Sequence, residues 1–459
     1  MQHAPTISQA APLATILHVP FTYFPDTAGG TEVYVKQLIG ELAPLGYHCA
    51  VAAPAATTTS YIHDDIEVHR FAIDATSRLE FAYGAPDKIA AANFASILDH
   101  VRPDIVHVHA CTAAVSPLLI DAARDFRAKV VLTYHTPTMT CARGDMLLYG
   151  SAACDGFIAD KRCTTCALTG RGVPRAAASL AANLPAGIAT AANRFAWLPN
   201  GARIPGLLRT QLRIMKQALD GPDHIVAVCD WVKSVLLRNG IPPEKLTLSR
   251  QGIRTQGLLQ SRPRDAGTPL RLAYFGRVEP TKGPKLLVEA LALISDVKVA
   301  FDIFGVHQDP CNHYADALRT QSANDPRIRL LAPVPPGTVC ETMQGYDIIA
   351  VPSRWLETGP LVVLEAFAAG VPVLGAKLGG IAELVHDGAD GILVTPADTA
   401  AWASAIRRLA GEPEHVAKLR AGIRPPRTMA DAAADMAAIY RALHESRLAR
   451  DCPSGIFTA

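Results

Sequence analysis

The feature that most constrains this chain is an alternation that occurs twice. Short apolar runs of strand length are each followed by a stretch with apolar residues at helical spacing. In the first half, residues 14–20, 48–54, 104–109 and 129–135 read as strands. Between the first two, residues 31–45 place Val35, Leu38, Ile39, Leu42 and Leu45 on one helical stripe, and Gly46 follows as a stop. Strand, helix and strand over this length form a βαβ unit, and its repetition predicts a parallel sheet covered by helices.

The second half repeats the pattern more cleanly. Residues 270–277, 297–305, 328–334, 347–353, 371–376 and 391–395 read as strands, with helical patterns over 285–294, 361–369 and 399–409. The polar run from Arg262 to Gly267, holding Pro263, is the expected hinge. The expectation is an α/β chain of two doubly wound, Rossmann-like domains, 1–262 and 263–428, facing a cleft. A last helical pattern, 429–448 within the tail 429–459, follows Pro425-Pro426 and is expected to cross back onto the first domain.

Composition fits that size. The 459 residues suit two domains of roughly 200 each, and 49% hydrophobic with 19% charged residues marks a well-cored globular protein. A formal net charge of +2 supplies no global field to recruit nucleic acid. No run has the length of a membrane span, and the apolar stretch 11–19 lacks a basic leader, so it reads as a first core strand. Cys49, Cys111, Cys229, Cys311, Cys340 and Cys452 are scattered and read as reduced thiols, which suits the cytoplasm.

Open parallel sheets bind ligands at the carboxyl ends of their strands, so the residues there carry the functional argument. After the strand ending at Ser353, a loop leads to a helix expected to begin near Gly359, capped by Thr358, with Pro360 in its first turn. The free amides of Gly359, Leu361 and Val362 would then attract phosphate through donors and dipole. Glu357 and Glu365 would repel phosphate but can accept hydrogen bonds from sugar hydroxyls. On spacing alone, two solvated glutamates beside an ordinary helix explain them equally well. Arg277 and Lys282, after the first strand of the second half, are placed to neutralise a diphosphate. Gly29 and Gly30, after the first strand of the first half, allow close backbone approach.

The run Pro352-Ser-Arg-Trp-Leu-Glu-Thr-Gly-Pro-Leu-Val-Val-Leu-Glu-Ala-Phe-Ala-Ala-Gly-Val-Pro-Val-Leu-Gly, with Gly379-Gly380-Ile-Ala-Glu-Leu and Asp387-Gly388, resembles the donor-site signature of family 4 glycosyltransferases. The resemblance is specific over 270–395 and looser in the first half. It implies the GT-B fold and a retaining transfer of sugar from a UDP- or GDP-linked donor to a glycan, lipid-linked or small-molecule acceptor, as in cell-surface polysaccharide or glycoconjugate synthesis. It also implies roles. Arg277 and Lys282 would hold the diphosphate; Glu357 would hold donor-sugar hydroxyls and Glu365 the ribose. The segment Gly359-Pro360-Leu361-Val362 would complete the phosphate site through the amides of Gly359, Leu361 and Val362, with Gly29 and Gly30 opposite. His135 would stand near donor sugar and acceptor, counted with Arg277, Lys282 and Glu357 as catalytic; His109 would do no more than pack at a strand end. One departure is Gly305-Val306-His307, where the family usually has Gly-x-Gly. No cofactor is implied for catalysis. The alternatives are a GT-B epimerase or phosphorylase and a non-catalytic nucleotide-sugar-binding protein.

Two features stand outside that account. Cys141, Cys154, Cys163 and Cys166, within an insert at about 138–172, have spacing that suits a structural zinc, with reduced thiols, a redox pair or a disulfide as alternatives. Residues 203–219 set Arg203, Arg209, Arg213 and Lys216 against Leu207, Leu208, Leu212, Met215 and Leu219. That pattern would allow peripheral association with the inner face of a membrane, although a surface helix of the first domain is the preferred reading.

Overall fold

The computed structural model describes residues 12–26, 29–76, 78–185, 187, 199–254, 267–305, 313–335 and 337–451. The hinge expected at 262–267 and the departure at 306–307 fall largely outside them, as do Cys311 and Cys452.

The strands are β1 (Ala14–Val19), β2 (Tyr47–Ala55), β3 (Thr59–His63), β4 (Ile66–Ala72), β5 (Ile105–Val108), β6 (Lys129–Tyr134), β7 (Leu147–Leu148), β8 (Ala152–Ala153), β9 (His224–Ala227) and β10 (Leu246–Leu248) in the first half. The second half has β11 (Leu270–Phe275), β12 (Val299–Phe304), β13 (Ile328–Leu331), β14 (Ile348–Val351), β15 (Val373–Ala376) and β16 (Gly391–Val394). They form a sheet in the order β10-β9-β6-β5-β1-β2-β4-β3 and a second in the order β13-β12-β11-β14-β15-β16. Every pairing in these two sheets is parallel except β3 with β4. The architecture is the GT-B one, two Rossmann-like α/β halves.

Parallel strands need apolar residues on both faces because helices cover both. β5, β6, β14 and β15 are accordingly buried at every position. The β3–β4 hairpin was not expected. β3 is polar and largely exposed at the sheet edge, and its turn is made by Asp64 and Asp65, both at positive φ. Acidic side chains tolerate that conformation in a tight hairpin, but without glycine the turn has a weak sequence signature.

The terminal helix, Met429–Asp451, crosses to the first sheet. Met429, Ala432, Ala433, Met436, Ala437 and Tyr440 join its core beside Ile16, Leu38 and Val51. Tyr440 is fully buried and its hydroxyl lies 2.5 Å from His107 Nδ1.

The basic-apolar segment is the helix Asn200–Asp220. Leu207, Leu208, Leu212, Met215 and Leu219 are all buried in the protein, and Arg203 and Arg209 are buried as well, pairing with Glu80 and Asp160. Its apolar stripe therefore faces the core, which corrects the basis for expecting a membrane contact here. Among the described residues no helix is long and apolar enough to cross a membrane.

If the terminal helix holds the first sheet in register, Tyr440→Ala should cost about 3–5 kcal/mol, as for other buried aromatics truncated in a core. Urea unfolding of the full chain measures it; a loss under about 1 kcal/mol would show the helix to be only loosely docked.

Candidate active site

The cleft is built on the loop between β14 and the helix Leu361–Ala368. Two close approaches set this loop. Gly283 has φ +70°, and a Cβ there would sit 2.4 Å from the Pro352 carbonyl oxygen, so the turn after β11 nests on the loop only because residue 283 is glycine. The amide of Arg354 donates to Thr281 O at 2.8 Å across the same contact. On the other side a Cβ on Gly380 would meet Thr358 O at 2.8 Å and Glu357 O at 2.9 Å, while its amide donates to Glu357 O at 2.7 Å.

These approaches bring Lys282 to Glu357. The Lys282 ammonium lies 2.7 Å from Glu357 Oε1 and 5.0 Å from the centre of the Trp355 ring. Ser353 Oγ donates to the same carboxylate oxygen at 2.7 Å. Burial acts to raise the Glu357 pKa, but Lys282 and Ser353 outweigh it and hold the group below its ordinary value. Arg277 stands at the mouth, 67% exposed and 3.1 Å from Glu279.

Glu365 differs. It is half-buried in the first turns of the helix, and desolvation of its carboxyl pushes it up to about 7. No charged group among the described residues forms an ion pair with it within 4.0 Å. The helix also starts later than expected. Its first residue is Leu361, Pro360 is the cap, and Thr358 gives its hydroxyl to His135 O at 2.6 Å instead of capping. Leu361 and Val362 thus lead the helix. Gly30 faces them from the first half, its missing side chain 3.7 Å from Leu361 Cδ1. Gly29 caps the helix Gly30–Leu42, and a Cβ there would press on the Glu32 carboxylate at 2.4 Å.

Glu32 was passed over in the sequence. It is 5% exposed; burial raises its pKa, while Gly29, at the same cap, and the charge of Arg277 across the cleft act to lower it. Its signal was only an acid in the first turn of a helix that follows paired glycines.

His135 is not a free acid or base here. Its Nε2 lies 3.1 Å from His109 Nδ1, and its Nδ1 lies 3.2 Å from Gln251 Nε2, so both ring nitrogens meet protein groups. His109 Nε2 continues to His18 Nδ1 at 3.1 Å. Burial drives His135 and His18 down to about 3, which leaves them neutral. His135 thus lies buried, its ring between His109 and Gln251 and its carbonyl receiving Thr358. His18, His107 and His109 are close enough to share an ion, but their nitrogens are spent on one another, His135, Tyr440 and Thr133, apart from His18 Nε2, which has no partner among the described residues.

Further bonds join the halves. Trp231 Nε1 donates to Glu357 O at 2.8 Å, and the amide of Leu356 donates to Asp145 O at 3.3 Å. Glu383 accepts the amides of Asp230 and Trp231 at 2.8 and 2.9 Å, capping a first-half helix from the second half. On the first half, past the ends of β5 and β6, a cavity of about 260 Å³ is lined mainly by apolar groups, among them Phe81, Cys111, Val115, Ile214 and Met215, with Thr138 at its edge.

The arrangement offers a buried carboxylate–ammonium pair, a helix N-terminus, a second, half-buried carboxyl and an exposed guanidinium around one opening. It suits a ligand that joins an anion to hydroxyls.

Two protein-family models match the chain, Glycosyltransferase Family 4 over residues 28–256 and Glycosyl transferases group 1 over residues 260–424. Among curated relatives, D-inositol 3-phosphate glycosyltransferase of Corynebacterium glutamicum (strain R) is 35% identical over 164 residues, covering 33% of this chain and 38% of that protein. The Thermomonospora curvata protein of the same name is 32% identical over 241 residues, 47% of this chain and 55% of its own. The matches thus span well under two thirds of these relatives. Among solved structures, Anabaena HepE in complex with UDP and glucose aligns with a TM-score of 0.62 at 16% identity, covering 93% of this chain and 99% of that one. Sucrose-phosphate synthase from Thermosynechococcus elongatus aligns at 0.66 and 17% identity, covering 94% and 100%.

Glu365 yields a pH-dependent prediction. Between its ordinary value of 4.5 and about 7, the folded state keeps a proton that the unfolded chain has released. This contribution makes stability fall as pH rises through that window, with the full penalty present above it. Glu365→Gln should therefore stabilise the chain by about 1–3 kcal/mol at pH ~8 and by little near pH ~4.5. Urea unfolding of both forms at the two pH values decides it; a pH-independent difference would contradict the assignment.

Proposed function

Because the chain belongs to the family 4, group 1 glycosyltransferases, we propose that it moves a sugar from a nucleoside diphosphate sugar to a hydroxyl acceptor, with retention of anomeric configuration. The observation that carries this reading is the meeting of Arg277, Lys282, Glu357 and the start of the Leu361–Ala368 helix, opposite Gly30, at one opening.

The diphosphate lies at the helix start, taking the amides of Leu361 and Val362 together with Lys282 and Arg277. Glu357 accepts hydroxyls of the transferred sugar, and Glu365 those of the ribose. The bond from the anomeric carbon to the diphosphate oxygen breaks, and its electron pair leaves with the nucleotide. The acceptor oxygen bonds to the same face, and its proton passes to the departing diphosphate. Charge builds on that leaving group in the transition state, so fixed cations and amides there accelerate the step. No protein nucleophile is needed. His135 holds the β14 loop without touching the reacting atoms.

The donor is a UDP- or GDP-linked sugar. The acceptor side is the cavity beside Thr138, whose apolar lining favours an acceptor bearing an apolar group next to its hydroxyl. The free thiols suit work in a reducing compartment such as the cytoplasm.

Lys282→Ala should lower kcat by about 10²–10³-fold, the usual cost of removing a group that stabilises the leaving charge. Glu365→Ala should weaken donor binding by about tenfold or more, as for a hydrogen bond to a charged group. Calorimetric titration with UDP- and GDP-sugars, paired with acceptor assays, tests both. Unchanged donor affinity in Glu365→Ala would overturn the ribose assignment. Full turnover of donor without acceptor, or with orthophosphate, would favour an epimerase or phosphorylase.

A further inference from the structure

The insert that carries four cysteines contributes no residue to the opening described above. It consists of the β7–β8 hairpin and the helix Asp160–Thr169. Cys141 precedes the hairpin, Cys154 closes it, and Cys163 and Cys166 lie one turn apart on the helix, where positions three apart share a face. Folding brings all four to the wall of a single cavity of about 20 Å³, room for about one water-sized sphere. None of the four is in a disulfide.

As thiols, Cys154, Cys163 and Cys166 donate to Asp155 Oδ1, Phe157 O and Leu147 O, and two of these sulfurs also accept backbone amides. Cys154 Sγ accepts the amide of Gly156, two residues on, at 3.5 Å, and Cys166 Sγ accepts the amide of Tyr149 at 3.1 Å. Amide donors to sulfur stabilise thiolate, as do cations, and the side chains of Arg143 and Arg162 line the same cavity. The Cys154-Asp-Gly turn is also dictated by packing. Gly156 has φ +73°, and a Cβ there would meet Val235 Cγ2 at 2.4 Å and Met146 Cε at 2.8 Å. No three of the sulfurs lie within 4.8 Å of one another, so ligation draws them in around the cavity by side-chain rotation.

We propose that Cys141, Cys154, Cys163 and Cys166 bind one zinc ion as a closed four-thiolate site, and that this site braces the β14 loop. Zinc takes four sulfurs in tetrahedral array without redox change, and each thiol gives its proton to solvent as its sulfur binds. The brace is visible in the contacts. Asp145, four residues after Cys141, accepts the Leu356 amide through its carbonyl, and Met146 forms a buried cluster with Val235 and Leu356. Leu356 adjoins Glu357. The ion thus fixes a hairpin too short to be stable by itself against the residue beside the site.

The test is metal content of the full chain purified without chelator, by plasma mass spectrometry. One zinc per chain is expected, falling to near zero in a Cys163→Ser/Cys166→Ser double variant. Cobalt loaded in place of zinc should give the visible absorption of tetrahedral thiolate coordination. Chelation should lower the Tm by several degrees and weaken donor binding several-fold. Wild-type chain that holds no zinc after exposure to it, or an intact mass that reports paired cysteines, would overturn the proposal. Because metal content is read without turnover, its failure is separable from failure of the transferase reading.

Discussion

The residues Leu356 to Thr358 are held from the other half of the molecule, and the site depends on that. Leu356 gives its amide to Asp145, Glu357 receives the indole of Trp231, and Thr358 gives its hydroxyl to His135, all from the first half. A loop at the end of a parallel strand has no ladder to fix it, and its backbone groups would otherwise turn to water. Fixing it from across the cleft makes the site a property of the closed pair of halves. Glu383 adds to the same seam by capping a first-half helix. The terminal helix then ties the second half to the first sheet through Tyr440 and its neighbours.

The histidine row follows from the same need. Four buried imidazoles lie at or just past the ends of β1, β5 and β6, and burial keeps them neutral. A neutral imidazole both donates and accepts, so a row of them can satisfy itself without water or charge. That lets the strand ends of the first half stay dry beneath the cleft while offering a fixed carbonyl, that of His135, to Thr358. The row ends at Gln251, which presses so near Gly359 that a Cβ there would lie 2.7 Å from its Oε1. A glycine at 359 therefore serves packing as much as ligand approach.

The sheets were legible because each core strand of a doubly wound fold is an apolar run, and most helices carried a clear stripe. The β3–β4 hairpin was not, because its outer strand is polar and its turn lacks glycine, nor were β9 and β10, since four and three residues hold too little pattern to read. At the site, strand ends and a helix start are encoded locally and pointed to Lys282, Gly30 and Leu361, whereas Glu357 needed the motif around it, since its spacing alone suits a solvated glutamate equally well. The state of His135 could not, because it rests on His109 and Gln251, which are distant in sequence. Thr358 shows the same limit from the other side: it has the chemistry of a helix cap, and tertiary structure gave its hydroxyl to a carbonyl instead. Glu32 was hidden because burial, not residue type, makes it notable.

The two glutamates of the motif show how environment divides one residue type into two electrostatic states. Glu357 is buried against an ammonium and a hydroxyl, so its charge is compensated before any ligand arrives. A ligand hydroxyl can add to it at little cost, and an arriving phosphate competes for Lys282 instead of meeting a bare carboxylate. Glu365 is half-buried with no ion-pair partner among the described residues, so its charge is costly until something donates to it. A ribose with two hydroxyls would supply those donors, draw the proton off and recover the energy lost to burial. Binding is then strongest where the empty site is least comfortable. This lets the helix start favour a molecule that carries both the anion and the hydroxyls over phosphate alone.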